Sequence, residues 1–265
     1  MSLNLIQVPK QNFLIPKLVH FTYKSLDQIP EKWSKTIGSW EKLGWKTMFH
    51  SDKDNDELVK EYPQLLSVYN SYKIPIQKVD AIRICYLHKW GGVYCDLDIL
   101  AQDDIYEYLK NTDLALLRSP NATLSLTNML MASIPNHSFW LEYINGLNNP
   151  YLPWFTKISK HFYVMYSTGP MLLNYVAKNT KLPYTLLPLN ILSCNICQKT
   201  CNPTDPLILL EGQSWNGPDS YIINYIYCKW KFVLVLIILL LVIFLFIKYN
   251  KSENSKQNNN KINTD

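Results

Sequence analysis

Asp96 and Asp98, two aspartates two positions apart, are the sharpest chemical feature of this 265-residue chain. In an extended segment Gly92–Leu100 (GVYCDLDIL) their side chains fall on one face, because strand side chains alternate. Paired carboxylates at a strand end suit a hard divalent cation, which takes oxygen ligands, keeps several waters and bridges substrate phosphates. Asp80 and Arg83 stand three apart just upstream, the spacing that shares a helix face. Arg83 is one of two arginines among 26 basic residues. It offers a permanent cation with a planar donor fork for a phosphate or carboxylate. Gly91 and Gly92 reverse the chain between these groups. An acidic pocket of this kind, with an arginine and glycines beside it, suits a nucleoside diphosphate. Three plainer readings compete: a solvated strand end, a simple helix ion pair for Asp80 and Arg83, and an aspartyl-nucleophile motif. The last expects Thr or Val two places after the second acid, where Leu100 stands.

These groups need a scaffold. Ile76 to Trp90 places apolar residues three and four apart and predicts a helix, which Gly91–Gly92 stops because glycine accepts a left-handed cap. Residues 14–23 read as an apolar entry strand, 31–43 as a helix, 45–50 as a second strand, and 51–61 as a polar turn leading into a helix. Helix and strand recur at Met171–Lys178 and Tyr184–Leu189. The alternation predicts an α/β layered domain with a mainly parallel sheet flanked by helices.

The order Asp80, Arg83, Gly91, Gly92, Tyr94, Asp96, Asp98 resembles the DXD sugar-binding region of glycosyltransferase family 32. Ile15-Pro16-Lys17 with Val19-His20 is similar to the family's opening strand, and Asn128 before Met131-Ala132 and Pro135-Asn136-His137 to its central segment. Ser167-Thr168-Gly169-Pro170 resembles its TGP motif, while Trp154, Ser214-Trp215 and the apolar stretch that follows are similar to the inositol phosphoceramide mannosyltransferases. The likeness covers roughly residues 14–220. It implies a GT-A type domain, a nucleotide-sugar donor, Mn2+ or Mg2+, and transfer with retention. Asp98, with Asp96, would hold the metal, and Arg83 would orient Asp96 or the sugar. Asp80, Gly91, Gly92, Tyr94, His20, Asn128, Thr168, Gly169, Pro170 and Trp215 would form the substrate site. GDP-mannose is the favoured donor and a UDP-hexose the second; the acceptor would be a lipid or glycan. The competing expectation is a non-catalytic, membrane-anchored relative acting as a partner or regulator.

Composition adds a membrane. Phe232–Ile247 is sixteen consecutive apolar residues, flanked by Trp230, Lys231, Lys248 and Tyr249, whose side chains anchor the ends of a span. The expected organisation is a transferase domain at 1–228, a transmembrane helix with its flanks at 229–249, and a disordered polar tail at 250–265. This gives a single pass near the C-terminus, in a Golgi- or ER-type endomembrane if the source is eukaryotic. No apolar signal segment stands near Met1, and lysines on both flanks leave the orientation open. Residues 229–265 hold six lysines against Glu253 and Asp265, which leaves 20 basic and 19 acidic groups for the first 228 residues. A near-neutral domain excludes a broad nucleic-acid-binding face. Cys194, Cys197, Cys201 and Cys228 fit zinc ligation, disulfides or free thiols, whereas Cys85 and Cys95 read as small buried hydrophobes.

Overall fold

The computed structural model describes residues 14–120, 122–195, 197–198, 200–212 and 217–262. The chain divides into two units, Met1–Trp215 and Asn216–Asp265. The first unit begins β1 (Leu18–Thr22), α1 (Thr36–Lys42), β2 (Lys46–His50), α2 (Asp52–Leu58), α3 (Pro63–Ser71) and α4 (Pro75–Trp90). It continues with β3 (Gly92–Cys95), β4 (Ile99–Ala101), β5 (Leu114–Ser119), β6 (Ala122–Ser133), α5 (Phe139–Asn148), α6 (Lys160–Ser167) and α7 (Pro170–Asn179). Short strands close it: β7 (Thr185–Leu186), β8 (Cys194–Asn195), β9 (Thr200–Cys201) and β10 (Leu207–Leu209).

Six strands form one sheet in the order β2-β1-β3-β6-β5-β7. The β1–β2, β1–β3 and β5–β7 pairings are parallel. β6 runs antiparallel to both neighbours, since the short connection from β5 can only fold it back on itself. The expected α/β sheet with flanking helices is present, made mixed by this strand. Alternation then sorts the core. Tyr94, Leu114, Leu116 and Met131 point to a layer built with α3, α4, α5 and α7. Val93, Cys95, Ala115, Leu117 and Ala132 point to the opposite layer, with Trp33, Trp40 and Trp45.

α4 starts on Pro75 and ends at Trp90, and Gly91 and Gly92, which follow, have φ of 64° and 87°. A β-carbon on Gly92 would stand 2.4 Å from the Leu18 carbonyl oxygen, so the turn requires glycine both for its backbone and for its packing on β1.

Two sequence expectations change. The helix expected over 31–43 is broken into a 3-10 turn at Glu31–Trp33 and α1. The strand expected over 92–100 is interrupted at the acids themselves. The Asp96 N–H still donates to Met129 in β6, but the Ile99 N–H turns back to the Asp96 carbonyl. The chain thereby leaves the main sheet and β4 pairs antiparallel with β10.

Cys194 and Cys201 form a disulfide across β8 and β9, and neither Cys197 nor Cys228 is a free thiol. The zinc alternative therefore gives way. Cys85 and Cys95 are free and buried, as expected.

The second unit contains α8 (Pro218–Cys228) and α9 (Trp230–Ile262). Within α9, Trp230–Tyr249 is long and apolar enough to cross a membrane, and none of that stretch is buried.

Candidate active site

α4 carries the positive centre. Arg83 is 2% exposed and Asp80 5%, and the guanidinium sits 2.9 Å from Asp80 Oδ1. A buried charge needs partners in every direction, and Arg83 has them. Its Nη1 donates to the Asn128 carbonyl at 2.6 Å and lies 3.4 Å from Asp96 Oδ1, while the guanidinium stacks 4.3 Å from the Tyr94 ring centre. Asp80 is itself saturated. Oδ1 accepts from the Asn128 amide at 3.0 Å and Oδ2 from the Thr168 hydroxyl at 2.9 Å. Burial raises the Asp80 carboxyl; the Arg83 charge and the two hydrogen bonds pull it back. The Tyr94 hydroxyl donates to Asp96 Oδ1 at 2.7 Å. Asp80, Arg83, Tyr94, Asp96, Asn128 and Thr168, drawn from α4, β3, β6 and the α6–α7 junction, thus form one connected network.

Asp98 occupies the turn after β3. Its Oδ1 is buried without a hydrogen-bond partner. Burial first, and then the Asp96 charge, pushes its carboxyl up to about 7; Arg83 and Lys32 oppose this. The strand-to-turn break keeps Asp98 close to Asp96 while pairing β4 with β10. The chain beyond β10 then passes over the turn. The Leu210 N–H donates to the Asp98 carbonyl at 2.7 Å, and the Trp33 indole donates to the Glu211 carbonyl at 3.0 Å. A β-carbon on Gly212 would stand 1.8 Å from Asp98 Oδ2. Gly212 is therefore where backbone meets the carboxylate.

Asp80 and Asp96 flank the guanidinium, the Asp96 charge acts on Asp98, and one buried Asp98 oxygen lacks a donor. A divalent cation would supply the missing charge and partner. Among the described residues no group of three or more His, Cys, Asp or Glu is placed to hold a metal. Two carboxylates nevertheless fit, because Mg2+-type ions at phosphate sites take one or two protein carboxylates and complete their shell with water and substrate phosphates.

The remaining expected site residues face inward. His20 is fully buried, with Nδ1 3.0 Å from His50 Nε2 and Nε2 2.9 Å from the Gly91 carbonyl. Since a carbonyl only accepts, His20 donates through Nε2; burial lowers both imidazoles and keeps them neutral, so His20 Nδ1 accepts from His50 Nε2. Gly91 and Gly92 pack against Pro135 and Leu18. Gly169 caps α7 and lies against Val164 and Met165 of α6, with Pro170 in the first turn of α7. These residues shape the walls behind the network. Trp215 lies outside the described residues. The sequence reading gave no role to Gly212 or Lys32. The scarcity of glycine, eight in the chain, was the one available signal for Gly212; Lys32 carried none.

Residues 24–116 match the family model described as the glycosyltransferase sugar-binding region containing the DXD motif. Asp80, Arg83, Tyr94, Asp96 and Asp98 fall inside this stretch, and Asn128 and Thr168 beyond it. A mannosyl phosphorylinositol ceramide synthase of Saccharomyces cerevisiae, CSH1, is 37% identical over 175 residues, which cover 63% of this chain and 44% of that protein. Its counterpart SUR1 is 35% identical over 176 residues, at 65% and 44%. Inositol phosphoceramide mannosyltransferase 1 of Schizosaccharomyces pombe is 29% identical over 227 residues, at 83% and 68%. The chain therefore spans less than half the length of the two Saccharomyces relatives. Among solved structures, the PaToxG glycosyltransferase aligns at 13% identity with a TM-score of 0.46, over 62% of this chain and 68% of that one, too distant for any residue to be carried across. The ordered acids, Arg83 and the glycine turn all lie inside residues 24–116, the stretch that matches the glycosyltransferase sugar-binding region containing the DXD motif.

Proposed function

We propose that this protein is a membrane-attached, metal-dependent hexosyltransferase of GT-A type that moves mannose from GDP-mannose to an inositol phosphoceramide-type lipid, with a UDP-hexose as second donor. The observation that carries the reading is the Asp96–Asp98 pair, with its unpartnered buried oxygen, fixed beside Arg83. The printed names of the relatives supply the sugar and acceptor class.

Asp98 and Asp96 would hold Mn2+ or Mg2+, which when bound neutralises charge on the departing diphosphate. The chain's own residues do the positioning. Asp80, fixed by Asn128 and Thr168, holds the Arg83 guanidinium, which with the Tyr94 hydroxyl sets the Asp96 carboxylate. The backbone at Leu210–Gly212 bounds the pocket on the Asp98 side. In the transfer, the bond from the anomeric carbon to the diphosphate oxygen breaks and one to the acceptor oxygen forms. The acceptor proton goes to the departing phosphate oxygen. On a same-face path this retains configuration and asks no side chain to act as nucleophile.

We place the catalytic unit on the lumenal side of a Golgi-type membrane. Disulfides persist in oxidising compartments, and the lysines beyond Tyr249 favour a cytosolic tail. Protease protection of sealed microsomes tests this side. For the reaction, the full chain in lipid nanodiscs is offered a panel of nucleotide sugars with inositol phosphoceramide, and products are read by mass spectrometry. A hexosylated lipid formed with Mn2+ or Mg2+ and lost with chelator is the expected result. Absence of metal-dependent binding of any GDP- or UDP-sugar by the folded chain would make it a non-catalytic relative.

A further inference from the structure

We infer that the catalytic unit has its own docking face for an anionic bilayer surface, formed by residues 151–181 and separate from the apolar helix. In the sequence, residues 143–204 contain five lysines (157, 160, 178, 181 and 199) and no aspartate or glutamate. The other 203 residues balance, so this stretch alone accounts for the chain's formal +5.

The same stretch carries exposed aromatic and aliphatic side chains. Trp154 and Ile158 are each 76% exposed, Tyr151 64% and Tyr175 50%. They are not scattered. Tyr151 stacks on Tyr175, Trp154 meets Phe155 edge-on, and Phe155 meets Tyr166. Tyr151, Tyr166, Tyr175 and Lys178 line one shallow cavity of about 190 Å³ whose walls are mostly apolar.

A contiguous exposed aromatic surface marks an interaction site. The chemistry of this one selects the partner. Tyr and Trp have an apolar body and a polar tip and settle at the headgroup level, while lysines are drawn to anionic headgroups. Residues 151–181 carry four lysines and no aspartate or glutamate, so a negatively charged lipid surface complements the charge of this stretch. The apolar Trp230–Tyr249 stretch in the same chain keeps the unit near a bilayer if it spans one.

The test uses the full chain in nanodiscs of phosphatidylcholine alone or mixed with phosphatidylglycerol, followed by hydrogen–deuterium exchange. Phosphatidylglycerol has no inositol, so protection by it reads surface charge and not acceptor recognition. Peptides spanning 150–163 and 170–182 are expected to exchange several-fold more slowly in the anionic discs. K157E/K178E/K181E should remove that difference and Trp154→Ala should reduce it, while exchange in α4 stays unchanged and certifies the fold. Equal exchange in both discs, or anionic protection that survives the charge reversal, overturns the proposal. So does protection that rises with protein concentration in detergent, which would assign the face to a second copy. These outcomes are independent of whether sugar transfer is found.

Discussion

Removing the Arg83 guanidinium would leave Asp80 buried with its charge opposed only by two neutral donors. Losing one partner of a buried ion pair typically costs about 3–5 kcal/mol, so Arg83→Met should lower denaturant stability by that order and abolish transfer. Unfolding of the detergent-solubilised chain measures the first effect. Asp98→Asn makes the opposite prediction. It removes a carboxyl that burial and Asp96 already disfavour, so the fold should be unchanged or slightly more stable, while metal-dependent donor binding is lost. Calorimetric titration with nucleotide sugar and Mn2+ separates the two residues; an Asp98→Asn chain that still binds donor only with metal would remove Asp98 from the site. Gly212→Ala tests the lining. Its methyl group cannot coexist with Asp98 Oδ2 where that oxygen now stands, so donor binding should weaken at least tenfold (about 1.4 kcal/mol) with α4 exchange unaltered.

The elements explain why these side chains meet. α4 and β3 are joined by two glycines with positive φ, one of them pressed on the Leu18 carbonyl. Gly92→Ala would add a disfavoured backbone, about 1–3 kcal/mol, to a collision with β1. The expected outcome is a sharp loss of folded yield, read by size-exclusion chromatography. β1, β2 and α4 also bury a neutral imidazole pair. Burial lowers His20 from 6.5 to about 4 and His50 from 6.5 to about 3; the Gly91 carbonyl opposes the shift at His20, and the Asp54 charge opposes it at His50. The unfolded chain binds protons here below about pH 6.5 and the folded chain does not. Stability from this pair is therefore complete above pH 6.5 and is lost as pH falls towards 4. His50→Gln keeps a donor for His20 but does not titrate, so its stability should decline less steeply than wild type over that interval. Parallel declines would show that the pair is not what titrates.

For the whole molecule, the apolar segment of α9 makes a prediction that needs no chemistry. If Trp230–Tyr249 spans a bilayer, the chain stays with membranes after alkaline carbonate extraction. Replacing Leu239 and Leu240 with Arg should release it, because each arginine at the centre of a span costs roughly 2.5–3.5 kcal/mol on insertion scales. A wild-type chain released by carbonate would place the helix outside the membrane. The two units differ accordingly: Met1–Trp215 is organised by a close-packed core around a buried ionic network, whereas the Trp230–Tyr249 stretch of the other is exposed, long and apolar enough to cross a membrane.

The sequence by itself determined the chemistry-bearing groups, since the spacing of Asp80, Arg83, Asp96 and Asp98 around a glycine pair is local, as are the periodicity of α4 and the sixteen-residue apolar run. It also determined the α/β class through the alternation of helix and strand. Only the tertiary structure decided which of these groups remain available. Asp80, Thr168 and Asn128 spend their hydrogen bonds on one another and on Arg83, His20 turns inward to His50 and Gly91, and Asp98 keeps a buried oxygen without a partner. The strand expected through the acids broke for the same reason. β4 pairs with β10, more than a hundred residues later in the chain. Local pattern carries no information about a partner so distant, and it is that pairing that brings Gly212 against Asp98.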